Sequence, residues 1–571
     1  MIAGSDSALR QAIAFHRGGL LAEAALLYRR ILAENPRQAD ALHLLGVTEF
    51  QKGDALLAVT LMDQAITLDP NNAGFRSNLG LVLEHLGRVH EAIGSYDRAL
   101  AIKPDSLETL SNRGKALHGL ARFQEALDSY ERALAINACD AATLNNRGST
   151  LAALGRLEDA LASIEQALAA KPDYADAQYN RGSVLLELEQ LDGALASFDR
   201  VLTDAPDHAA ALNNRGVTLQ RLGRFEEALR DFDKALSLQG DRLPEVLYNR
   251  GRCKLLVGSL ASGWIDYEYR WNWSGFRQKR SSLPIAHWAG EPLRGRSILI
   301  YEEQGLGDTI QFCRYLPLLV ERGGQVSFML RPSLSGLLAS LSADIRLITS
   351  VESDSRFDFQ CPLMSLPLLM ETDLGNIPSS PRYLSGDLER SARWRGRLGS
   401  QGFKIGICWQ GNAGRIDIGR SFPLSEFYPL TRLPGVRLIS VQKNRGVEQF
   451  AQLPQDVHIE TLGDDFDAGA DAFVDTAAVM ENLDLIITAD TSIAHLGGAL
   501  GRPTWVALRH VPDWRWLLNR SDSPWYPAIR LFRQAVPNQW GPVFAEIVSE
   551  VKLLLASREQ PASESMTAVG H

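Results

Sequence analysis

Along residues 5–242, small, apolar and polar positions return with a period of 34 residues, and within each period the apolar positions fit helical faces. Glycine marks the register at Gly46, Gly80, Gly114, Gly148, Gly182 and Gly216. In the unit 73–106, Gly80 is small enough to let a first helix approach a second. Ala92 and Ala99 supply small contacts on the second helix, Tyr96 fills the space between them, and Pro104 blocks further helix. The same slots hold Ala58, Met62, Ala65 and Pro70 one unit earlier, and Ala160, Ile164, Ala167 and Pro172 in a later one. A first unit without the glycine shows through Ala24, Tyr28 and Pro36. The pattern predicts seven two-helix units, with a degenerate eighth around Gly251, Tyr267 and Trp271.

This period and these slots resemble the tetratricopeptide repeat (TPR). The resemblance implies an α-solenoid, a superhelix whose first helices line an extended concave surface. Asn stands two residues before the register glycine in most units: Asn78, Asn112, Asn146, Asn180 and Asn214, with Asn249 following after a one-residue slip. An Asn amide carries both donors and an acceptor, so a ladder of them suits the backbone of an extended chain whatever its side chains. The arm of the O-linked N-acetylglucosamine transferase is similar, which implies a protein held in the groove. Hydrogen bonding between neighbouring repeats is the alternative for the same residues. Arg113, Arg147, Arg181, Arg215 and Arg250 follow the ladder and suit either acidic partners or an Asp or Glu of the next repeat.

From Trp264 to Trp273 the chain is dense in aromatics, as a cap repeat docking on another domain requires; a ligand-binding patch is the other reading. Residues 274–296 lack helical period and are expected to be a linker. Beyond them the pattern changes to short apolar runs separated by helical stretches, the mark of parallel sheets covered on both faces. Strands are expected at Ser297–Tyr301, Val326–Leu330, Lys404–Cys408, Val436–Val441, Leu483–Thr488 and Thr504–Leu508. A charged helix, Asp387–Leu398, divides them into two Rossmann-like lobes, 297–386 and 403–556, joined by 387–402; a polar tail, 557–571, is expected to be disordered. Two such lobes describe the GT-B fold.

Ligands of such sheets bind where strands end, and three motifs lie there. Gly305 and Gly307 permit a tight turn before a helix, and Asp308 follows. A negative charge at that place suits a general base, or a helix N-cap, better than a phosphate loop. Gln410, Gly411 and Asn412 lead to Arg420-Ser421-Phe422-Pro423, a loop and cation fitted to a diphosphate. Asp490-Thr491-Ser492 closes a buried strand and opens a helix bearing His495, which suits either an anion site or a multiply capped helix with a core histidine.

In this order the three motifs resemble the family 9 glycosyltransferases, the heptosyltransferase-like enzymes, over about residues 297–535. The resemblance implies that Asp308 is the base, that Arg420 meets the diphosphate, and that Asp490, Thr491, Ser492 and His495 meet the nucleotide of a nucleotide-sugar donor. Gln410 and Asn412 fall in the same donor loop. Arg420 stands where Lys is usual, and the first lobe is short for a family whose first lobe receives the acceptor. A TPR arm before such a transferase also resembles the bacterial flagellin glycosyltransferases, which points to a protein acceptor of that kind.

Composition narrows the picture. A net charge of −9 is a poor match to nucleic acid. Cys139, Cys253, Cys313, Cys361 and Cys408 are widely spaced and suit a reducing compartment. No signal-peptide pattern and no membrane-length apolar run is present, so a cytoplasmic protein without a membrane span is expected. Asp465-Phe466-Asp467 matches a metal-site motif of an unrelated transferase fold, and no metal or cofactor is expected. His510–Trp516, with Asp513 and Arg515, suits a donor pocket, a core or a lobe-closing role. The function expected is inverting, metal-independent sugar transfer to a protein hydroxyl. The alternatives are a scaffold whose transferase domain has lost turnover, and a transferase for a surface glycan or lipid-linked saccharide.

Overall fold

A computed structural model of the chain describes residues 2–239, 242–276, 278–352, 355–411, 419–469, 471 and 473–559. The chain forms two compact units, Met1–Thr218 and Leu219–His571. The first is all helical. Its pairs are α1 (Ile2–Arg17) with α2 (Leu21–Glu34), α3 (Ala39–Gln51) with α4 (Ala55–Leu68), and α5 (Ala73–His85) with α6 (Val89–Ile102). They continue as α7 (Leu107–Gly119) with α8 (Phe123–Ile136), α9 (Ala141–Ala153) with α10 (Leu157–Ala170), and α11 (Ala175–Glu187) with α12 (Leu191–Asp204). α13 (Ala209–Arg221) crosses into the second unit.

The slots do what their sizes dictate. Ala126, Tyr130 and Ala133 are buried on α8, and a methyl group added to Gly114 on α7 would come within 2.5 Å of the Tyr130 ring. The arginines after the ladder bind helix to helix. Arg113 pairs with Asp97 on the preceding unit (2.6 Å) and donates to Ser129 on its own second helix (2.7 Å). Arg181 does the same with Glu165 and Ser197, and Arg215 pairs with Asp199 at 2.7 Å. The acidic residue at these positions lies on the preceding repeat and not on the next one, because the second helix of the unit before packs against the first helix that carries the arginine.

The second unit opens with α14 (Phe225–Gln239), α15 (Pro244–Leu256) and α16 (Leu260–Tyr267). It then builds two parallel sheets. The first holds β1 (Ser297–Tyr301), β2 (Gln325–Met329), β3 (Arg346–Ile348) and β4 (Phe359–Pro362) in the order β3-β2-β1-β4. The second holds β5 (Phe403–Cys408), β6 (Val436–Ser440), β7 (Leu485–Ala489), β8 (Thr504–Leu508) and β9 (Ile529–Arg533) in the order β6-β5-β7-β8-β9. Registers such as Ile298↔Val326 and Ile405↔Leu485 are parallel throughout. The helices are α17 (Leu306–Phe312), α18 (Leu316–Glu321), α19 (Ser335–Leu338), α20 (Leu366–Leu369), α21 (Leu388–Leu398), α22 (Tyr428–Thr431), α23 (Val474–Met480), α24 (Ser492–Ala499) and α25 (Gly541–Glu559). The chain is therefore a helical-repeat solenoid followed by an α/β region of two Rossmann-like sheets. β7 and β8 are buried along their whole length, as strands covered on both faces must be.

Three strands go beyond the expected six. β3 has three residues, β4 ends on a proline, and β9 interleaves Arg with apolar residues, so none gives a clear apolar run. The unit boundary also falls well upstream of the linker expected at 274–296. The cause is the aromatic segment. Trp264 meets Trp514 edge-on at 5.2 Å and donates from Nε1 to the Thr372 carbonyl at 3.1 Å. Arg270 is fully buried; its Nε and Nη2 bond Glu303 at 3.0 and 2.9 Å, and Ser365 takes a further bond. α15 and α16 thus share a core with the sheets. α25 runs to Glu559, past the expected start of the tail at 557; residues 560–571 lie outside those described. Among the described residues, no helix is long and apolar enough to cross a membrane.

Candidate functional site

Each sheet reverses its direction of growth once, between β1 and β4 in the first and between β5 and β7 in the second. A crevice opens at the carboxyl ends of strands at such a point. The loops after β1, β5 and β7 are the three motif loops, so topology places all three where ligands of this architecture bind.

After β1, the chain turns through Gln304, which holds a left-handed φ of 64°. A non-glycine residue pays for that conformation. Three contacts hold it: its side chain donates to Tyr267 Oη at 2.8 Å, its N–H meets Gln278, and its carbonyl accepts from Arg331. Gly305 then donates its N–H to Asp308 Oδ2 at 2.7 Å, so Asp308 caps the start of α17. Its other oxygen, Oδ1, accepts from Arg515 Nη2. Both sequence-level readings of Asp308 therefore meet in one carboxylate, which caps the helix and faces a cation from the second sheet's loops.

Arg515 is 8% exposed. Its Nη1 bonds Asp513 Oδ1 at 2.7 Å, its guanidinium lies 4.1 Å from the Trp514 ring centroid, and its buried Nε has no hydrogen-bond partner among the described residues. Burial works against this charge, but Asp308 and Asp513 outweigh burial and hold the guanidinium protonated. Burial likewise raises the Asp513 carboxyl, and Arg515, then Arg252, bring it below its ordinary value. Arg252 comes from α15. Asp490, at the end of β7, is pushed up by burial and by Asp513, with Arg420 and Arg509 opposing. Asp308, Asp490 and Asp513 thus share a neighbourhood with Arg252, Arg420, Arg509 and Arg515.

Thr491 caps α24, its Oγ1 accepting the Ile493 N–H at 3.3 Å, and both Thr491 and Ser492 are half-buried at the head of that helix. His495 differs in kind. Its ring is buried, stacks on Trp516 at 5.3 Å and shares a hydrogen bond with Tyr526 at 3.0 Å. Burial, then Arg515, lowers its pKa to about 3, so it stays neutral. This is the core histidine that the sequence left open. It also explains Gly307, where a methyl group would lie 2.8 Å from the His495 ring. Gly307 serves the close packing of α17 on α24.

The loop after β5 is held by Gln442, whose Oε1 accepts the Trp409 and Gln410 N–H groups at 3.0 Å while its Nε2 donates to the Gln410 carbonyl. Gln410's side chain accepts from Gln449 at 3.3 Å, and Gly411 donates to Ser421. Asn412 lies outside the described residues. The Asp465-Phe466-Asp467 segment is structural: Asp465 pairs with Arg397 at 2.6 Å, Phe466 is buried, and Asp467 accepts the Asp475 N–H at the head of α23.

The ladder divides. Asn78 meets His43 at 3.0 Å, Asn180 donates to Asn145 and Ser149, and Asn214 donates to Tyr179 and Ser183, each on the preceding unit. Among the described residues, the half-buried side chains of Asn112 and Asn146 have no partner. Asn249 sits on α15 in the second unit.

Sequence reasoning did not assign Arg252 or Gln442 to the site, and left Asp513 and Arg515 among several roles. Arg252 sits in the repeat-like segment on a slot with no marker. The Trp-Arg-Trp run beside Asp513 was the available signal for Arg515.

Comparison with known proteins is consistent with this division. Models of the tetratricopeptide repeat match residues 9–73, 73–138, 111–175, 145–209 and 179–245. The amino-terminal region therefore carries these repeats. The chain is 27% identical over 335 residues to Protein FlbA of Caulobacter vibrioides, covering 54% of this chain and 55% of that one, so it spans about half the length of that relative. Among solved structures, YrrB, described as a TPR protein with an unusual peptide-binding site, is 26% identical, with 32% of this chain and 94% of that chain covered and a TM-score of 0.28. A tetratricopeptide repeat protein from Parabacteroides merdae is 18% identical, with 43% and 98% covered and a TM-score of 0.37.

Proposed function

We propose that this chain is a glycosyltransferase of GT-B fold, similar to family 9, that moves a sugar from a nucleotide-sugar to a hydroxyl of a protein held by the repeat arm. The observation that carries the reading is Asp308: a carboxylate at the crevice of the first sheet, facing a cluster of arginines at the crevice of the second. In the proposed step Asp308 takes the proton of the acceptor hydroxyl as its oxygen bonds to the anomeric carbon. The bond from that carbon to the donor phosphate breaks with inversion. Arg420, with Arg509 and the Thr491–Ser492 turn, neutralises the departing nucleotide phosphate, a task given to side chains here and not to a metal. Gln442 fixes the loop that carries Gln410 toward the same group.

A second reading, a scaffold without turnover, draws support from the same carboxylate, because each of its oxygens already has a partner. Intact-mass analysis of cellular proteins with and without this chain separates the two. The transferase reading expects proteins that gain a sugar mass only in its presence, and their absence removes it. With purified protein, one of the UDP-, ADP-, GDP- or CMP-sugars is expected to raise the melting temperature. Asp308→Asn is expected to keep that shift and lower transfer by about 100-fold or more. Unchanged turnover in the variant removes Asp308 as base.

A further inference from the structure

The Asp308 carboxylate is held by more than a helix cap requires. The Gly305 N–H on Oδ2, at 2.7 Å, already completes the cap of α17. The second oxygen nevertheless takes Arg515 Nη2, from the loop between β8 and β9 of the other sheet. Phe312, one turn along α17 from Asp308, lies against the same guanidinium, its ring centroid 5.9 Å away.

Arg515 is fixed in turn from its far side. Asp513 Oδ1 accepts both its Nη1, at 2.7 Å, and its backbone N–H, at 3.1 Å, and the Trp514 ring lies 4.1 Å from the guanidinium. Arg252 of α15 favours the charged form of Asp513. Asp308, Arg515, Asp513 and Arg252 thus follow one another in alternating charge. The two terminal nitrogens of Arg515, the pair that could grip a phosphate side by side, are both taken by carboxylates. Capping is complete without a cation, so it does not account for the reach of Arg515 to Asp308. What the contact adds is a second fixed point on one carboxylate, and two fixed points set its plane.

We propose that Arg515 is a positioning residue of the transfer reaction, setting with Gly305 the plane of the Asp308 carboxylate so that an oxygen lone pair meets the acceptor hydroxyl, while Asp513 sets Arg515. The proposal rests on the transferase reading of Asp308. The proton passes from the hydroxyl to Asp308 as described above, and Arg515 neither gains nor loses one. A base displaced by a fraction of an ångström loses rate without losing substrate affinity.

The test is steady-state transfer by purified protein. The acceptor probe is a protein that gains sugar mass in cells carrying the chain, purified unmodified from cells without it. The donor probe is the UDP-, ADP-, GDP- or CMP-sugar that raises the melting temperature. Arg515→Lys, which keeps the charge but not the fork, is expected to lower kcat about tenfold with both KM values unchanged. Asp513→Asn, which leaves the guanidinium in place but loosens it, is expected to lower kcat in the same way by a smaller factor, and it is the variant to read if Arg515→Lys does not fold. In the Asp308→Asn background neither exchange is expected to cost anything further, because each acts through the base. Unchanged kcat overturns the proposal. An equal loss in the Asp308→Asn background also overturns it and makes the role structural, and a raised donor KM overturns it by assigning Arg515 to the donor. Cells in which no protein gains sugar overturn the transferase reading itself, a failure distinct from the other three.

Discussion

Asp308 and Arg515 come from loops 207 residues apart and meet in one ion pair. Their geometry makes a strong demand on Arg: a planar fork that holds Asp308 with one nitrogen and Asp513 with another. Removing the fork leaves two carboxylates facing each other with little solvent. Arg515→Gln is therefore expected to cost about 2–4 kcal/mol in stability, and its cycle with Asp308→Asn to show a coupling of about 1–3 kcal/mol in urea unfolding. Additive losses show that the pair does not form in solution. Arg515→Lys restores one contact but not both, so it is expected to recover only part of the stability. Near this pair, His495 shows how a motif residue can serve packing. Its neutral ring fills the gap that Gly307 leaves open, and an exchange at either place disturbs the seating of α17 on α24.

Helices in the repeats were legible because glycine, alanine and aromatic slots report packing distance directly. The solenoid and six of the strands follow from such local patterns. β3, β4 and β9 do not, because their pairing is set by neighbours distant in the chain and their own residues give only a short or mixed run. The same limit applies to the site. Asp308 and Asp490 could be found from loops that end strands, whereas Arg252 and Gln442 are defined by partners brought in by the fold. The ladder asparagines look identical in sequence, yet they divide by the amide each has already spent. Asn78, Asn180 and Asn214→Ala are each expected to cost about 0.5–1.5 kcal/mol, the net worth of a hydrogen bond. Asn112→Ala with Asn146→Ala is expected to leave the melting temperature unchanged and to lower acceptor modification in cells. Loss of stability in the double variant contradicts the division.

At the scale of the molecule, the repeat-like helices α14–α16 belong with the sheets. Trp264 and Arg270 are buried among side chains of the sheet region, and Glu303 has Arg270 as its buried counter-ion. A chain that begins at Leu219 is expected to unfold cooperatively on heating. One that begins at Ser297 leaves Glu303 without its partner, a loss of about 3–5 kcal/mol against a typical total of 5–15. It is expected to lack a sharp transition by circular dichroism, and a sharp transition there contradicts the shared core.

That buried Arg270–Glu303 pair also fixes where such proteins can be recombined. A crossover at the visible change of composition, after the last aromatic of the repeats, separates Arg270 from the buried Glu303; Arg270 retains Glu268, but the sheet-side product inherits the Glu303 carboxylate without its guanidinium. Among the described residues, a crossover inside α13 separates no fully buried ion pair. New repeat arms are therefore best grafted upstream of Leu219, with α14–α16 kept as part of the recipient.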